Sequence, residues 1–199
     1  MIRELVLATR NRDKAAELAG LLAGLGITIK TLDEFTDVPD VVEDGDTCEA
    51  NAVKKARAVA DYTGLPSVAD DTGLEVDALD GRPGVYAARY AGDHVTYEDN
   101  WRKLLTELSH VPAERRTARF ITVAALAIPS AAVQVAKGTL EGRITERPAG
   151  NRGFGYDPVF LVPELGKTLA ELTAEEKNRV SHRARAFARV REFVRETVI

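Results

Sequence analysis

Between Glu4 and Leu32 a short apolar run, a polar turn, a helical stripe and a second apolar run follow one another. This order restricts the fold more than any other part of the chain. Glu4 to Ala8 (ELVLA) has the length and character of a buried strand. The turn Thr9-Arg10-Asn11-Arg12-Asp13-Lys14 comes directly after it. Leu18, Leu21, Leu22 and Leu25 then recur at helical spacing, and Gly26 ends the pattern. Ile27 to Leu32 reads as a second strand. A strand–helix–strand unit at this position predicts an α/β sheet with some parallel pairing.

Composition bounds the rest. A chain of 199 residues makes one domain, or one domain with two lobes. It is 45% hydrophobic and 29% charged, enough apolar material for a sizeable core. The formal charge of -4 supplies no overall basic field for nucleic acid. Cys48 is the only cysteine, so neither an intramolecular disulfide nor a zinc cluster is expected, and it reads as a bystander. No basic segment followed by a long apolar run marks a signal peptide. No stretch approaches the ~20 apolar residues that span a bilayer. The expectation is a cytoplasmic protein without a nucleic-acid or membrane partner.

Further along, Asp33 to Asp46 is an acidic loop and Thr47 to Thr63 a helix, on which Asn51 and Lys55 share a face. Gly64-Leu65-Pro66 breaks that helix. Ser67 to Ala69 then reads as the end of a buried strand that opens into a tight turn at Asp70-Asp71-Thr72-Gly73. Tyr97 to Leu108 is a helix. Ala118 to Ile128 and Ala132 to Lys137 form a hairpin around Pro129-Ser130, and Gly138 to Arg147 continues it. Val159 to Val162 is a strand. Thr173-Ala174-Glu175-Glu176 fits a capping box. A last helix from about Ser181 carries the stripe Val180, Ala184, Phe187, Val190, Val194 and Val198, with Arg185, Arg189 and Arg195 opposite.

Several residues carry chemistry and also admit plainer readings. Asp70 and Asp71 can hold a divalent cation or take a proton from water, or cap a turn. If the strand continues through them, only one can face a given site, because neighbouring strand side chains point to opposite faces. Thr9, Asn11 and Lys14 stand where a helix N-terminus binds phosphate, yet Asn11 could be an ordinary N-cap. This is not a Walker loop, since G-x-x-x-x-G-K is absent. Lys177, Ser181, His182 and Arg183 cluster between two helices. Two cations at a helix start suit an anion or carbonyl-bearing ligand, or simply face water. Phe154 lies among turn residues, where it can stack on a nucleobase or plug the core. Asp157 is a turn residue or an acceptor for a ligand.

Six motifs in order then settle the comparison: A-T-R-N-R-D-K at Ala8 to Lys14, A-N-A-V-K-K-A at Ala50 to Ala56, A-D-D-T-G-L at Ala69 to Leu74, G-V-Y-A-A-R-Y-A-G at Gly84 to Gly92, G-F-G-Y-D-P at Gly153 to Pro158, and E-E-K-N-R-V-S-H-R at Glu175 to Arg183. With these, nearly end to end, the chain resembles the inosine-triphosphate pyrophosphatase family. The resemblance implies a long mixed sheet flanked by helices, in two lobes with a central substrate cleft, forming one domain over 1–199 and usually a homodimer. It implies Mg²⁺-dependent hydrolysis of inosine, deoxyinosine and xanthosine triphosphates to the monophosphate and pyrophosphate.

By the same resemblance Thr9, Arg10, Asn11, Arg12, Asp13 and Lys14 hold the triphosphate, and Lys55 adds charge. Asp71 matches the catalytic carboxylate with Asp70 close by. Asp71 and Glu43 are the metal-side pair. Thr72 touches substrate. Phe154, Gly155, Tyr156, Asp157, Lys177, His182 and Arg183 resemble the base-binding set. Three positions depart from the pattern: Arg10 where glycine is frequent, Ala50 where glutamate often stands, and Thr72 for serine. Rival readings are a related pyrophosphatase for pyrimidine or modified nucleotides, a non-catalytic nucleotide sensor, and a nucleic-acid module built on the last helix.

Overall fold

The structure, a computed structural model, describes residues 3–199. In chain order its main elements are β1 (Glu4–Leu7), α1 (Arg12–Leu22), β2 (Thr28–Thr31), α2 (Cys48–Thr63), β3 (Ser67–Val76), β4 (Pro83–Gly84), α3 (Tyr97–Glu107), β5 (Thr117–Ala127), β6 (Gln134–Ile144), β7 (Phe160–Val162), β8 (Lys167–Thr168), α4 (Ala174–Val180) and α5 (His182–Thr197). The eight strands make one mixed sheet of order β2-β1-β3-β5-β6-β7-β8, with β4 on β3. β1 runs parallel to β2 and β3, while β4 on β3, β7 on β6 and β8 on β7 are antiparallel. The α/β expectation and its parallel start hold.

The chain divides into two compact units. The first takes the chain to Asp71, then Thr122–Gly138 and Arg183–Ile199; the second takes Thr72–Ile121 and Thr139–His182. In the first unit, strand residues alternate between two cores, as a pleated strand requires. Leu5, Leu7, Val68 and Leu126 pack with Leu18 and Leu22 of α1 and Phe187, Val190 and Val194 of α5. Val6, Ala8, Ala69, Val123 and Ala125 pack with Ala52, Ala56 and Val59 of α2. The second unit has one core, including Leu74, Val76, Leu104, Phe120, Leu140, Ile144 and Phe160.

Local chemistry sets the helix ends. Asn11 caps α1, its side chain accepting from Lys14 N. That helix stops at Leu22, a turn before the expected Gly26, because Gly24 and Gly26 both adopt left-handed backbone. Thr47 caps α2, and left-handed Gly64 closes it. The Thr173 capping box starts α4 as expected.

One expectation fails. The chain does not turn at Asp70-Asp71-Thr72-Gly73; β3 runs straight through to Val76. Pairing decides this against the local turn preference. Val6 and Leu7 of β1 register with Ser67 and Val68 at one end, and Gly84 and Pro83 of β4 with Leu74 and Glu75 at the other. Leu74 and Val76 are fully buried, so the strand continues into an apolar environment. Among the described residues, no helix is long and apolar enough to cross a membrane.

Candidate functional site

Because β3 stays extended, Asp70 and Asp71 leave it on opposite faces. Asp70 shares the parity of Val68 and meets α1 and α5. Asp71 shares the parity of Ala69 and meets α2.

The Asp70 side chain is wholly buried and held between cations. Lys14 Nζ lies 3.3 Å from Oδ1, and Arg183 Nε donates to Oδ2 at 3.0 Å. The Arg183 guanidinium also reaches Glu17 Oε1 at 3.2 Å. Burial by itself would raise the pKa of Asp70, but Lys14, Arg183 and Lys55 outweigh it and hold the carboxyl well below the usual range. For Arg183, burial acts to lower its pKa, yet Asp70 and Glu17 push it above the ordinary arginine value. Lys14 moves the other way: burial, with Lys55 and Arg183 nearby, lowers its pKa against the pull of Asp70. Lys14 therefore sits where an additional anion would stabilise its charge.

On the α2 face, Asn51 Nδ2 donates to Asp71 Oδ2 at 3.1 Å. Lys55 Nζ is 4.0 Å from Asp71 Oδ1 and 3.1 Å from Glu43 Oε2. The same ammonium donates to the Asp70 carbonyl at 2.9 Å, and Lys14 Nζ lies 3.5 Å from that oxygen. Two lysines thus converge on one backbone carbonyl. Like charges so placed favour an anion between or beside them. Cys48, read as a bystander, stands against Asp71; burial first, then that carboxylate, push its thiol up to about 12. It is a poor nucleophile there.

The polar turn before α1 is only partly spent on phosphate-type geometry. Thr9 Oγ1 accepts from Asn11 N at 3.2 Å, and Asn11 Oδ1 from Lys14 N at 3.0 Å, so Asn11 is an N-cap as well as a candidate ligand. Arg12 and Asp13 are exposed in the first turn of α1. Arg10, one of the three departures noted in the sequence, donates to Asp40 Oδ1 and to the Val38 carbonyl, each at 2.7 Å. It braces the acidic loop. Thr72, next on β3, is half-buried and begins the second unit.

Inside the second unit, Lys177 of α4 donates to Asp157 Oδ2 at 2.7 Å with both side chains nearly buried. The Phe154 N–H donates to the same oxygen at 2.9 Å, and Lys177 Nζ lies 4.9 Å from the Phe154 ring centre. Tyr97, at the start of α3, stands 5.8 Å from that ring, tilted by 39°. Gly153 is obligatory: its φ is +71°, and a Cβ there would lie 2.0 Å from Asp157 Oδ2. Gly155 is also left-handed.

Not every residue of the expected base set joins this cluster. Tyr156 turns into the core, its hydroxyl donating to the Ala87 carbonyl at 2.8 Å, and burial raises its phenol well above the ordinary value. His182 stacks on Phe120 at 4.5 Å. Arg183 belongs to the Asp70 cluster of the first unit. Phe154, Asp157 and Lys177 do come together. Asn51, Glu17, Phe120 and Tyr97 carry contacts that the sequence reading did not assign. Only Asn51 left a signal, its helical spacing from Lys55.

For a metal ion, no group of three or more His, Cys, Asp or Glu is arranged as a ligand set among the described residues. Asp71 and Glu43 do flank one cation position, now held by the Lys55 ammonium. Two carboxylates suit Mg²⁺, which takes few protein oxygens and draws the rest from water and substrate phosphate.

An α/β protein with a lysine-rich carboxylate cluster in one unit and a ring-lined ion pair in the other has the parts of a nucleotide-handling fold. A model of the Ham1 family matches residues 5–193, and the chain belongs to that family. A dITP/XTP pyrophosphatase of Geobacter sulfurreducens is 53% identical over 94% of both chains. One from Geobacillus kaustophilus is 51% identical over 99% of this chain and 97% of its own. Among solved structures, a Ham1 protein from Coxiella burnetii has a TM-score of 0.87 at 42% identity, covering 98% of this chain and 99% of that one. The Staphylococcus aureus Ham1 protein has 0.85 at 38%, covering 97% and 98%.

Proposed function

We propose that this chain is a Mg²⁺-dependent pyrophosphatase of non-standard purine nucleoside triphosphates. It converts dITP, ITP and XTP to the monophosphate and pyrophosphate, and so cleanses the nucleotide pool. The relatives named dITP/XTP pyrophosphatase support the reaction class. The observation that carries the reading is the meeting of Lys14 and Lys55 at the Asp70 carbonyl, next to the Asp71 and Glu43 carboxylates. We place the 199 residues in one catalytic domain, acting in the cytoplasm on a small-molecule nucleotide, as a homodimer by family resemblance.

In this reading the α1 N-terminus, with Thr9, Asn11 and Lys14, receives the triphosphate, whose charge favours the positive end of the helix dipole. Lys55 neutralises it from the α2 side. Asp71 accepts the proton of the attacking water at Oδ1, while Oδ2 is held by Asn51. The water oxygen bonds to the α-phosphorus as the bond from that phosphorus to the α–β bridging oxygen breaks. The departing pyrophosphate carries its charge to Lys14 and Lys55. Asp71 and Glu43 would hold Mg²⁺, which would supply charge neutralisation to the triphosphate. Asp70, locked between Lys14 and Arg183, positions those cations rather than reacting.

The base assignment rests on complementarity. Lys177 can only donate and Asp157 can only accept. Hypoxanthine and xanthine present a 6-keto acceptor beside an N1–H donor, whereas adenine presents the reverse. A site that leaves buried polar groups unpaired can reject the wrong base by up to about 10⁴-fold. Phe154 offers the ring face a base stacks on. Guanine shares the N1–H and 6-keto edge, so its exclusion rests on the 2-amino side.

Hydrolysis of dITP in ¹⁸O-water tests the reaction. Label in the monophosphate and none in pyrophosphate is expected. Label in pyrophosphate, or release of single phosphate, would sink the assignment of attack at the α-phosphorus.

A further inference from the structure

Asn51 lies on α2, one turn before Lys55, and is almost fully buried. Its amide has two committed sides. Oδ1 accepts from the Gly45 N–H at 2.8 Å, and Nδ2 donates to Asp71 Oδ2 at 3.1 Å. Since a backbone N–H can only donate and a carboxylate oxygen accepts, the amide cannot be flipped without breaking both bonds. Nδ2 is also 3.5 Å from the Gly45 carbonyl. The loop comes unusually close here: a Cβ on Gly45 would sit 2.7 Å from Asn51 Oδ1 and 2.9 Å from Ala50 Cβ. Gly45 is two residues beyond Glu43, the second carboxylate at Lys55.

We propose that Asn51 is a positioning residue that clamps the loop carrying Glu43 to Asp71, so that the two carboxylates act as one metal-side pair. This rests on the reading of Asp71 and Glu43 given under Proposed function. One end of the Asn51 amide fixes the Gly45 backbone, two residues from Glu43. The other end occupies Asp71 Oδ2 and leaves Oδ1 on the Lys55 side. Lys55 also links Asp71 to Glu43, through one ammonium at 4.0 and 3.1 Å, but it meets carboxylate oxygens at both ends, whereas Asn51 fixes the loop by its Gly45 backbone. Gly45 is the matching half of the clamp, because any side chain there would displace the amide.

Three variants test it: Asn51→Asp, Asn51→Ala and Gly45→Ala. Each is measured for kcat and KM on dITP and for thermal melting. Each is also measured by calorimetry for Mg²⁺ binding in the presence of a non-hydrolysable α,β-imido analogue of dITP. Asn51→Asp keeps an acceptor for the Gly45 N–H but turns the donor facing Asp71 into a like charge. Its kcat is expected to fall roughly 10–100-fold, the range for outer partners of metal ligands, with little change in KM. Gly45→Ala, which changes neither the Asp71 nor the Asn51 side chain but pushes the Asn51 amide out of its clamp, is expected to weaken Mg²⁺ binding by roughly the same range. Combining Gly45→Ala with Asn51→Ala should add little to Asn51→Ala alone, because both break one clamp.

Wild-type kcat and Mg²⁺ affinity in Asn51→Asp would overturn the proposal, as would losses that multiply independently in the double variant. Should Asn51→Asp fail to fold, Gly45→Ala carries the same test from the loop side. A wild-type protein that releases no pyrophosphate from dITP would refute the functional reading instead. The calorimetric comparison still reports on the clamp in that case.

Discussion

The first unit gathers Lys14, Lys55, Arg183, Glu17, Glu43, Asp70 and Asp71 around one stretch of β3, whereas the second centres its polar chemistry on Lys177 and Asp157 among Phe154, Tyr97 and glycines. The first arrangement is made by strand periodicity. Consecutive carboxylates on β3 point to two different helical layers, and each finds its own lysine. The second is made by a glycine-permitted turn, which brings a backbone N–H and an ammonium onto a single carboxylate oxygen. One surrounds carboxylates with several cations, the other sets a single ion pair beside two aromatic rings. Adjacent Asp70 and Asp71 repeat the contrast on a smaller scale: Asp70 is sealed by cations, while Asp71 takes an amide on one oxygen and has Lys55 4.0 Å from the other.

Substitutions can break this contrast. The largest expected effect is from Asp71→Asn, which should lower kcat by about 10³-fold while nucleotide binding stays measurable, since a general base contributes about 10²–10⁴-fold. Steady-state turnover and calorimetric binding read the two apart; near-wild-type turnover would remove Asp71 from its role. Asp70→Asn should act on the fold. It leaves Lys14 and Arg183 buried without their carboxylate, and removing one partner of such a pair costs about 3–5 kcal/mol. Thermal and denaturant unfolding measure this; an unchanged midpoint would mean that Asp70 does not hold the cations in place.

Smaller effects sharpen the second cluster. Lys177→Ala should reduce the dITP-over-dATP preference by roughly 10-fold, about the worth of one hydrogen bond to a charged group. Its effect on pyrophosphate inhibition should be slight. An unchanged preference ratio would take Lys177 out of base selection. Tyr97→Ala should raise KM by only about 2–10-fold, as expected for one ring beside another. A loss on the scale of Asp71→Asn would show that Tyr97 serves the reaction and not the stacking surface.

Much of this was legible in the chain. The opening strand, polar turn and helix follow from hydrophobic period and an asparagine cap, and α2 from its threonine cap and closing glycine. The six motifs contain Lys14, Lys55, Asp70, Asp71, Asp157 and Lys177, whereas Glu17 and Glu43 lie outside them. The path of β3 was not legible, because Asp-Asp-Thr-Gly carries local turn chemistry that pairing with β1 and β4 overrides. Nor was the partner of Arg183. Asp70 lies 113 residues away, and no local pattern connects a helix start to a strand at that separation. Tyr156 shares its motif with Phe154, yet the backbone after a left-handed glycine sends one ring to the core and leaves the other half-exposed.

The most direct test of the central claim is kcat/KM for pyrophosphate release with Mg²⁺ across dITP, XTP, GTP, ATP, UTP and TTP. Strong release from dITP and XTP and little from the other four is expected, with selection at the Lys177–Asp157 pair and cleavage at Asp71. Preference for UTP or TTP, or equal rates on ATP and dITP, would contradict it.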